Sequence, residues 1–468
     1  MTRSPWSIGP PAALAVTAGV LAVRWPVPAV ATAMVALTGW ALWTPARLNH
    51  ALFTVLFLVP VTVRLGGSTK TVWIVLLAAT AIALYGRLQQ LRPDTPLASA
   101  GMAGFVLPVA GVVAALAHWS GPKDLLFALT PFVCYAVITW HVVAEARRQP
   151  AAFVRLARFF AWLGVPLALL AIYQRATGTW PVLDELAVSN AFTSSAGAGR
   201  SVATMGHPIV YGTYCLMSMC VALALRGRAW PVPFAAGAVG LLLSGSRSAW
   251  IGTGCALAVW YVARRPRLTR RGVAVAAATV AAATALALAG PAPVRGTVEM
   301  LRARLSNVGG SSSATARYSR YEVAWQALTD SVDRMLFGLG PEAHVRFFQE
   351  VGIGDHLAQT FDNSFLTLWY DLGLVTLLPF VALLVALLVR ARSLAARLLV
   401  VGMTAQIFFF DFYLWPCAAA VLILAAGLAV VDADVDADHP AARTSVPPAG
   451  AGSGSLSAKG RTTGEARR

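Results

Sequence analysis

The chain has 468 residues, of which 57% are hydrophobic and only 12% are charged, and its formal net charge is +17. Soluble domains carry about 25% charged residues, and their helices keep a polar stripe, so a large soluble helical core is excluded. The composition predicts a polytopic membrane protein. Nucleic acid is not predicted as a partner, because cytoplasmic loops that meet anionic membrane lipid account for the positive charge.

Apolar runs separated by short loops follow one another along the chain. Each is long enough, or nearly so, to cross a hydrocarbon core of ~30 Å. They predict an all-α protein of about 12–14 transmembrane helices, with candidate spans at 9–24, 27–44, 50–65, 71–86, 101–118, 124–144, 152–173, 206–225, 230–244, 247–263, 272–291, 363–389, 398–411 and 414–431.

The distribution of arginine predicts the orientation in the membrane. A cluster follows the span at 247–263 (Arg264, Arg265, Arg267, Arg270 and Arg271), and cytoplasmic loops are enriched in such residues. We therefore expect a multi-pass protein of the cytoplasmic membrane with both termini inside and one large extracytoplasmic loop at 292–362. Residues 1–431 form the transmembrane domain, and the polar residues 432–468 are predicted to be a disordered cytoplasmic tail. No cysteine and histidine spacing predicts a metal site.

Several arginines fall on the outward side, which positive residues normally avoid. Arg200 lies in a long outward loop at 174–205, Arg247 lies in a Ser-Gly-Ser-Arg turn between two spans, and Arg317 and Arg320 lie in the large loop. Each alone is compatible with snorkelling to head groups or pairing with a carboxylate. Together they predict a site for a membrane-anchored diphosphate, since guanidinium groups bind phosphate bidentately.

Asp362 and Asn363 begin the span that follows the large loop. One interpretation is a helix N-cap; the other is a catalytic carboxylate at the outer interface. His344 and His356, in the large loop, are alternative bases or solvated residues. His207 precedes Pro208 at a helix start and is expected either to cap that helix or to line the pocket.

A spaced motif runs from Asp362-Asn363 through nine residues to Gly373, and then through two residues to Thr376. It resembles the O-antigen ligase and polymerase superfamily, whose ligases carry His, then Asn, Ser or Gln, nine residues, Gly, two residues, and Gly, Thr or Tyr. Asp362 stands in place of the histidine. The segments around Arg200 and Arg247, and the succession from Arg320 to Gly338-Leu-Gly-Pro, resemble further family segments. The resemblance covers roughly residues 190–380.

The resemblance implies a GT-C-like fold and a metal-independent, inverting glycosyltransferase that needs no cofactor. Its substrates would be an undecaprenyl-diphosphate-linked saccharide and an acceptor glycan or glycolipid outside the membrane, and it would act as a ligase or a polymerase. A carboxylate at position 362 favours a general base or a residue that orients the acceptor, with the departing diphosphate stabilised by arginine. The implied catalytic residues are Asp362, Arg320 and Arg200. The implied substrate-binding residues are Arg247, Arg317, His207, Asn363, His356 and His344.

Two other functions use the same features. A transporter or flippase of lipid-linked saccharide would share the spans and the arginines, but should show ionisable residues near mid-depth or two repeated halves. A non-catalytic envelope-assembly protein would carry Asp362 as a remnant of an active site. Convergence of Arg200, Arg320 and Asp362 on one outward cavity would favour the transferase.

Overall fold

The computed structural model of the chain describes residues 45–59, 71–88, 105–117, 121–179, 199–225, 227, 229–264, 292–306, 312–352, 360–412 and 415–431. Of these, 84% are helical and none lies in a strand, which confirms the all-α prediction for this part of the chain. The predicted spans at 9–24, 27–44 and 272–291 and the predicted tail at 432–468 lie outside the described residues.

Every predicted span that falls on described residues coincides with a helix. Several of these helices begin with proline, whose fixed φ and missing N–H suit the first helical position. The helices before the predicted large loop are α1 Pro45–Leu58, α2 Thr71–Leu88, α3 Val106–Ala117, α4 Pro122–Arg148, α5 Pro150–Thr177, α6 Pro208–Ala224, α7 Pro231–Ser244 and α8 Arg247–Arg264.

The segment predicted as a large loop is itself helical where the structure describes it. Two of its helices contribute Ala324, Leu328, Ala343 and Phe348 to a small separate core, which Phe361 and Tyr370 complete. The segment contains α9 Ala292–Ser306, α10 Ser312–Thr329, α11 Val332–Phe337 and α12 Ala343–Glu350. The last three helices are α13 Ser364–Arg390, α14 Leu394–Ile407 and α15 Pro416–Ala429.

Three helical segments are long and apolar enough to cross a membrane by length and composition: Leu129–Arg148, Pro150–Thr177 and Ser364–Arg390. The described residues add shorter apolar helical segments at Leu48–Leu58, Val72–Leu88, Val106–Ala117, Pro208–Ala224, Pro231–Ser244, Leu394–Ile407 and Pro416–Ala429. Predicted and observed helix ends differ by a few residues, and one of these differences concerns the candidate site. The span predicted at 398–411 corresponds to α14, which ends at Ile407, so Asp411 lies in the connection to α15.

The centre of the bundle is α6, which packs against α5, α7, α8 and α14. Small residues allow close helix contact, as is usual between membrane helices. Where α8 crosses α14, a side-chain Cβ at Gly252 would lie 2.5 Å from the carbonyl oxygen of Gly402. The Gln406 amide of α14 donates a hydrogen bond to the Thr213 hydroxyl of α6 at 2.6 Å. This packing fixes the helix ends on which the candidate site is built.

Two ends of the bundle differ in character. At one end, the start of α6 meets the ends of α5 and α7 and the start of α15, and the start of α13 meets the connection between α14 and α15. At the other end, the backbone amide of Arg392 donates to Ala429, and the Arg158 side chain donates to Leu225. The predicted site residues that the structure describes lie at the first end or in the helical segment beside it.

Candidate active site

Arg200 lies beside the Ser-Gly-Ser-Arg turn between α7 and α8. Its Nε donates a 2.9 Å hydrogen bond to the carbonyl of Ser244, and the neighbouring amide of Ser201 donates to Leu243. Gly245 closes α7 in a left-handed conformation, and α8 begins at Arg247. The two predicted arginines are therefore brought to one short turn. Both are half-buried, which strengthens their interaction with an anion relative to bulk water.

His207 is the N-cap of α6. Its Nδ1 accepts a hydrogen bond from the amide of Ile209 at 3.3 Å, and its ring lies 4.9 Å from that of Trp415. Burial, reinforced by the charge of Arg200, lowers the pKa of His207 to about 3. The imidazole is therefore neutral at physiological pH. Because Nδ1 accepts, the proton of the neutral ring resides on Nε2, so the cap keeps one ring N–H donor.

The N-cap of α13 is Asn363. Its Oδ1 accepts from the amides of Phe365 and Leu366 at 3.1 and 3.2 Å, which satisfies two of the orphan donors of the helix start. Asp362 precedes the cap and has a left-handed backbone, with φ of 55°. A residue other than glycine seldom adopts this conformation, although aspartate tolerates it better than most. Asp362 is thus held in place by its surroundings and is not occupied in capping.

Asp411 lies directly against Asp362. One carboxylate oxygen accepts from the backbone amide of Asp362 at 3.1 Å, and the other accepts from the Thr367 hydroxyl at 2.8 Å. Asp411 is 2% exposed. Burial, followed by the charge of Asp362, raises its pKa to about 7, against the opposing effects of His344 and the two hydrogen bonds. At neutral pH this pair of acids therefore carries fewer than two negative charges.

Arg320 and Asp362 meet at Thr360. The Arg320 Nη1 lies 3.5 Å from the Thr360 carbonyl oxygen, and the Thr360 hydroxyl donates to Asp362 at 3.4 Å. The guanidinium also lies over the ring of Phe348, 5.0 Å from its centroid, in the range of a cation–π contact. Arg320, the candidate diphosphate-binding residue, and Asp362, the candidate base, therefore both contact Thr360.

His344 forms a buried pair with Asp371 of α13. The Nδ1 of the ring lies 2.5 Å from one carboxylate oxygen, and the backbone amide of His344 donates to the other at 2.9 Å. Burial by itself would lower the pKa of His344, but the charge and hydrogen bond of Asp371, followed by the charges of Asp411 and Glu342, raise it above its ordinary value. His344 is 3% exposed, so its contacts are with protein.

The predicted residues form two neighbouring groups. Arg200, Arg247 and His207 surround the start of α6, and Arg320, Asp362, Asn363 and His344 surround the start of α13. Trp415 connects the groups, because its ring lies 4.9 Å from that of His207 and 6.1 Å from that of Phe410, and the Phe410 carbonyl accepts a hydrogen bond from the Ser364 hydroxyl. The Arg317 side chain and His356 lie outside the described residues.

Three residues of this site were not among the predictions: Asp371, Asp411 and Thr367. The two acids occur in otherwise apolar runs, and an ionisable residue inside such a run is itself a signal of function. Within the described ranges, no three histidine, cysteine or acidic side chains are grouped so as to hold a metal ion.

The apolar helices and this charged site at their ends belong to a membrane protein. Residues 232–381 match a family model described as O-antigen ligase, which confirms the predicted resemblance to the O-antigen ligase and polymerase superfamily. The match runs from α7 into α13 and includes Arg247, Arg320 and Asp362, whereas Arg200 and Asp411 lie outside it. A comparison with curated proteins gives no match. The match supports glycan transfer of the O-antigen ligase type in general, in polysaccharide biosynthesis.

Proposed function

We propose that this protein transfers a saccharide from an undecaprenyl-diphosphate carrier to an acceptor glycan or glycolipid at the outer face of the cytoplasmic membrane. The observation that carries the proposal is the contact of Arg320 and Asp362 with the same residue, Thr360, immediately before the family motif. A phosphate-binding cation and a proton acceptor at this separation suit a reaction in which a hydroxyl attacks a sugar and a diphosphate departs.

The chemistry assigns each group one task. The acceptor hydroxyl oxygen forms a bond to the anomeric carbon, the bond from that carbon to the diphosphate oxygen breaks, and undecaprenyl diphosphate leaves with the electron pair. Asp362 takes the hydroxyl proton. Arg320 binds the diphosphate and stabilises its growing charge, with Arg200 and Arg247 as the second group of cations. Attack from the face opposite the leaving group inverts the anomeric configuration, and these groups perform the step without a metal ion.

Asp411 adjusts the charge of this site. Two ionised carboxylates in contact would repel a diphosphate, but the raised pKa of Asp411 keeps part of the pair protonated at neutral pH. Its contact with the Asp362 amide also fixes the backbone that carries the base. The same buried acid therefore limits the negative charge and orients Asp362.

The orientation proposed for the chain puts this site outside the cell. Arg390, Arg392 and Arg397 lie at the opposite end of the bundle from Asp362, where the connection between α13 and α14 meets the end of α15. Positive residues of short loops favour the cytoplasmic side. The site, the helical segment at 292–362 and a GT-C-like arrangement of the spans would then face the outer leaflet, where an acceptor glycan is available.

The test is complementation of a strain that lacks the gene, with Asp362→Asn and Arg320→Ala compared with the wild type. We expect both variants to reach the membrane at wild-type levels, to lose surface glycan and to accumulate lipid-linked saccharide. Matched controls come from the exposed ion pair Arg334–Asp330 of the same segment, since exposed pairs contribute little. Arg334→Ala and Asp330→Asn should complement fully. Wild-type surface glycan in both site variants would contradict the proposal.

The position of the accumulated carrier distinguishes a transferase from a flippase. A defective transferase leaves lipid-linked saccharide on the outer leaflet, where mild periodate oxidation of intact cells reaches it. A defective flippase leaves it on the inner leaflet, where it is protected until the cells are opened. Protected carrier in the Asp362→Asn strain would replace the transferase proposal with transport.

A further inference from the structure

Four hydrogen bonds join residues 339–344, at and just before the start of α12, to two consecutive residues of α13. The amides of Leu339 and Gly340 donate to the carbonyls of Tyr370 and Asp371 at 2.8 and 3.1 Å, and both the amide and the ring of His344 bind the Asp371 carboxylate. Such a set of bonds between segments distant in sequence fixes their relative position. We call it the His344–Asp371 clamp.

The backbone on both sides of the clamp is shaped for this contact. Gly373 leaves the helical conformation, with φ of 68° and ψ of −177°, and kinks α13 just after Asp371. A Cβ on Gly338 would lie 2.6 Å from the Asp371 carbonyl oxygen, and a Cβ on Gly373 would lie 2.5 Å from the Phe337 Cα. The two chains can approach this closely only because both positions are glycine.

The clamp fixes the position of α12, which packs beside both Arg320 and the residue that precedes Asp362. One turn beyond His344, the ring of Phe348 lies beneath the Arg320 guanidinium. The same ring lies 5.2 Å from that of Phe361, which precedes Asp362. Phe348 and Phe361 are both 0% exposed, so neither ring can move without repacking the small core. A displacement of α12 would therefore shift Arg320 relative to Asp362.

We propose that His344 and Asp371 are positioning residues of the transfer reaction, which hold α12 against α13 so that Arg320 and Asp362 keep the separation the reaction requires. This inference rests on the function proposed above. In this proposal His344 positions α12 and does not serve as the base for the acceptor, because only 3% of its surface is exposed. The clamp acts on the rate through geometry, and misplacement of a reacting group by about 1 Å costs ~100-fold.

The test measures release of undecaprenyl diphosphate by membranes that contain equal amounts of each variant. The donor is the lipid-linked saccharide extracted from the strain that lacks the gene, and its concentration is varied to separate kcat from KM. We expect His344→Ala and Asp371→Ala each to lower kcat about 10- to 100-fold with less than about 3-fold change in KM, and the double variant to be no slower than either. Wild-type kcat in either single variant, or losses that multiply in the double variant, would overturn the inference.

A conservative variant separates the clamp from a general loss of structure. The amide nitrogen of asparagine occupies the place of histidine Nδ1, so His344→Asn keeps a neutral donor to Asp371 and should recover most of the lost kcat. An Asn variant as slow as the Ala variant would contradict a positioning role.

If the alanine variants do not accumulate in the membrane, a second variant tests the contact between α12 and Arg320. Phe348→Leu keeps the clamp but removes the ring beneath Arg320, and it should lower kcat in the same way, whereas wild-type kcat would overturn the inference. The same assay distinguishes failure of the proposed function from failure of the positioning role. If wild-type membranes release no more undecaprenyl diphosphate than Asp362→Asn membranes, the proposed function fails, whereas an active wild type with fully active clamp variants contradicts only the positioning role.

Discussion

Substitution of Gly373 by alanine should be among the most damaging single changes in the chain. Gly373 is the glycine of the spaced motif, and its φ of 68° with ψ of −177° lies in a region that is essentially restricted to glycine, at a cost of about 1–3 kcal/mol for other residues. The added Cβ would also overlap the Leu336 carbonyl oxygen and lie 2.5 Å from the Phe337 Cα. These are backbone atoms, which cannot rotate away as the end of a side chain can.

The two effects add to a substantial loss of stability. Overpacking against a rigid neighbour costs about 1–3 kcal/mol more, so we expect Gly373→Ala to lower the free energy of unfolding by roughly 2–6 kcal/mol. The measurement is an unfolding titration of the purified protein in mixed micelles, together with limited proteolysis of residues 336–344, which should become more susceptible as this segment leaves α13.

A matched glycine provides the control for Gly373→Ala. Gly254 lies within α8, and a Cβ there meets nothing within 4 Å. Gly254→Ala should therefore leave the proteolysis pattern unchanged and raise stability by up to about 1 kcal/mol, since alanine favours the helix. If Gly373→Ala unfolds within about 0.5 kcal/mol of the wild type, the close contact between residues 336–338 and the kink of α13 does not exist in solution and the reasoning is wrong.

Three further predictions concern the start of α13. Because the folded protein raises the pKa of Asp411 to about 7, it retains a proton that the unfolded chain releases near pH 4. Stability should therefore fall between about pH 4 and 7 by up to roughly 4 kcal/mol, and Asp411→Asn should flatten this fall when unfolding is measured at pH 5 and pH 8. Ser364→Ala removes a hydroxyl that donates to Phe410 and accepts from Phe412, and it should cost about 1–3 kcal/mol in the same titration. Asn363→Ala should cost about 0.5–2 kcal/mol through loss of the cap, whereas Asn363→Asp should restore most of that stability.

The helices could be predicted because continuous apolar runs with proline at their starts leave few alternatives in a membrane. The end of α14 could not. The apolar run continues through Phe408, Phe409 and Phe410 after the helix stops at Ile407, and hydropathy does not distinguish a helical phenylalanine from one in a buried turn. As a result, Asp411 was assigned to a span, although it lies in a connection beside the site.

The candidate site was predictable where its parts are local. Glycine in the Ser-Gly-Ser-Arg segment predicts a turn, and the asparagine before Ser364 predicts a helix N-cap. Asp371 and its partner His344 are 27 residues apart, and no local pattern indicates which loop histidine a buried acid will meet. The pairing follows from the kink at Gly373, whose conformation is set by tertiary contact with residues 336–338.

The spacing of the motif acquires a physical explanation from these contacts. Nine residues separate Asn363 from Gly373, so the two positions lie about 15 Å apart along a helix that rises ~1.5 Å per residue. The cap at one end of this interval holds Asp362, and the kink at the other holds the clamp that supports Arg320 through α12. The length of this helical segment thus sets the distance between Asp362, the proposed base, and the clamp that positions Arg320. A residue inserted between the cap and the glycine would rotate Asp371 by about 100° around α13 and separate it from His344, so the spacing is constrained more tightly than the residues within it.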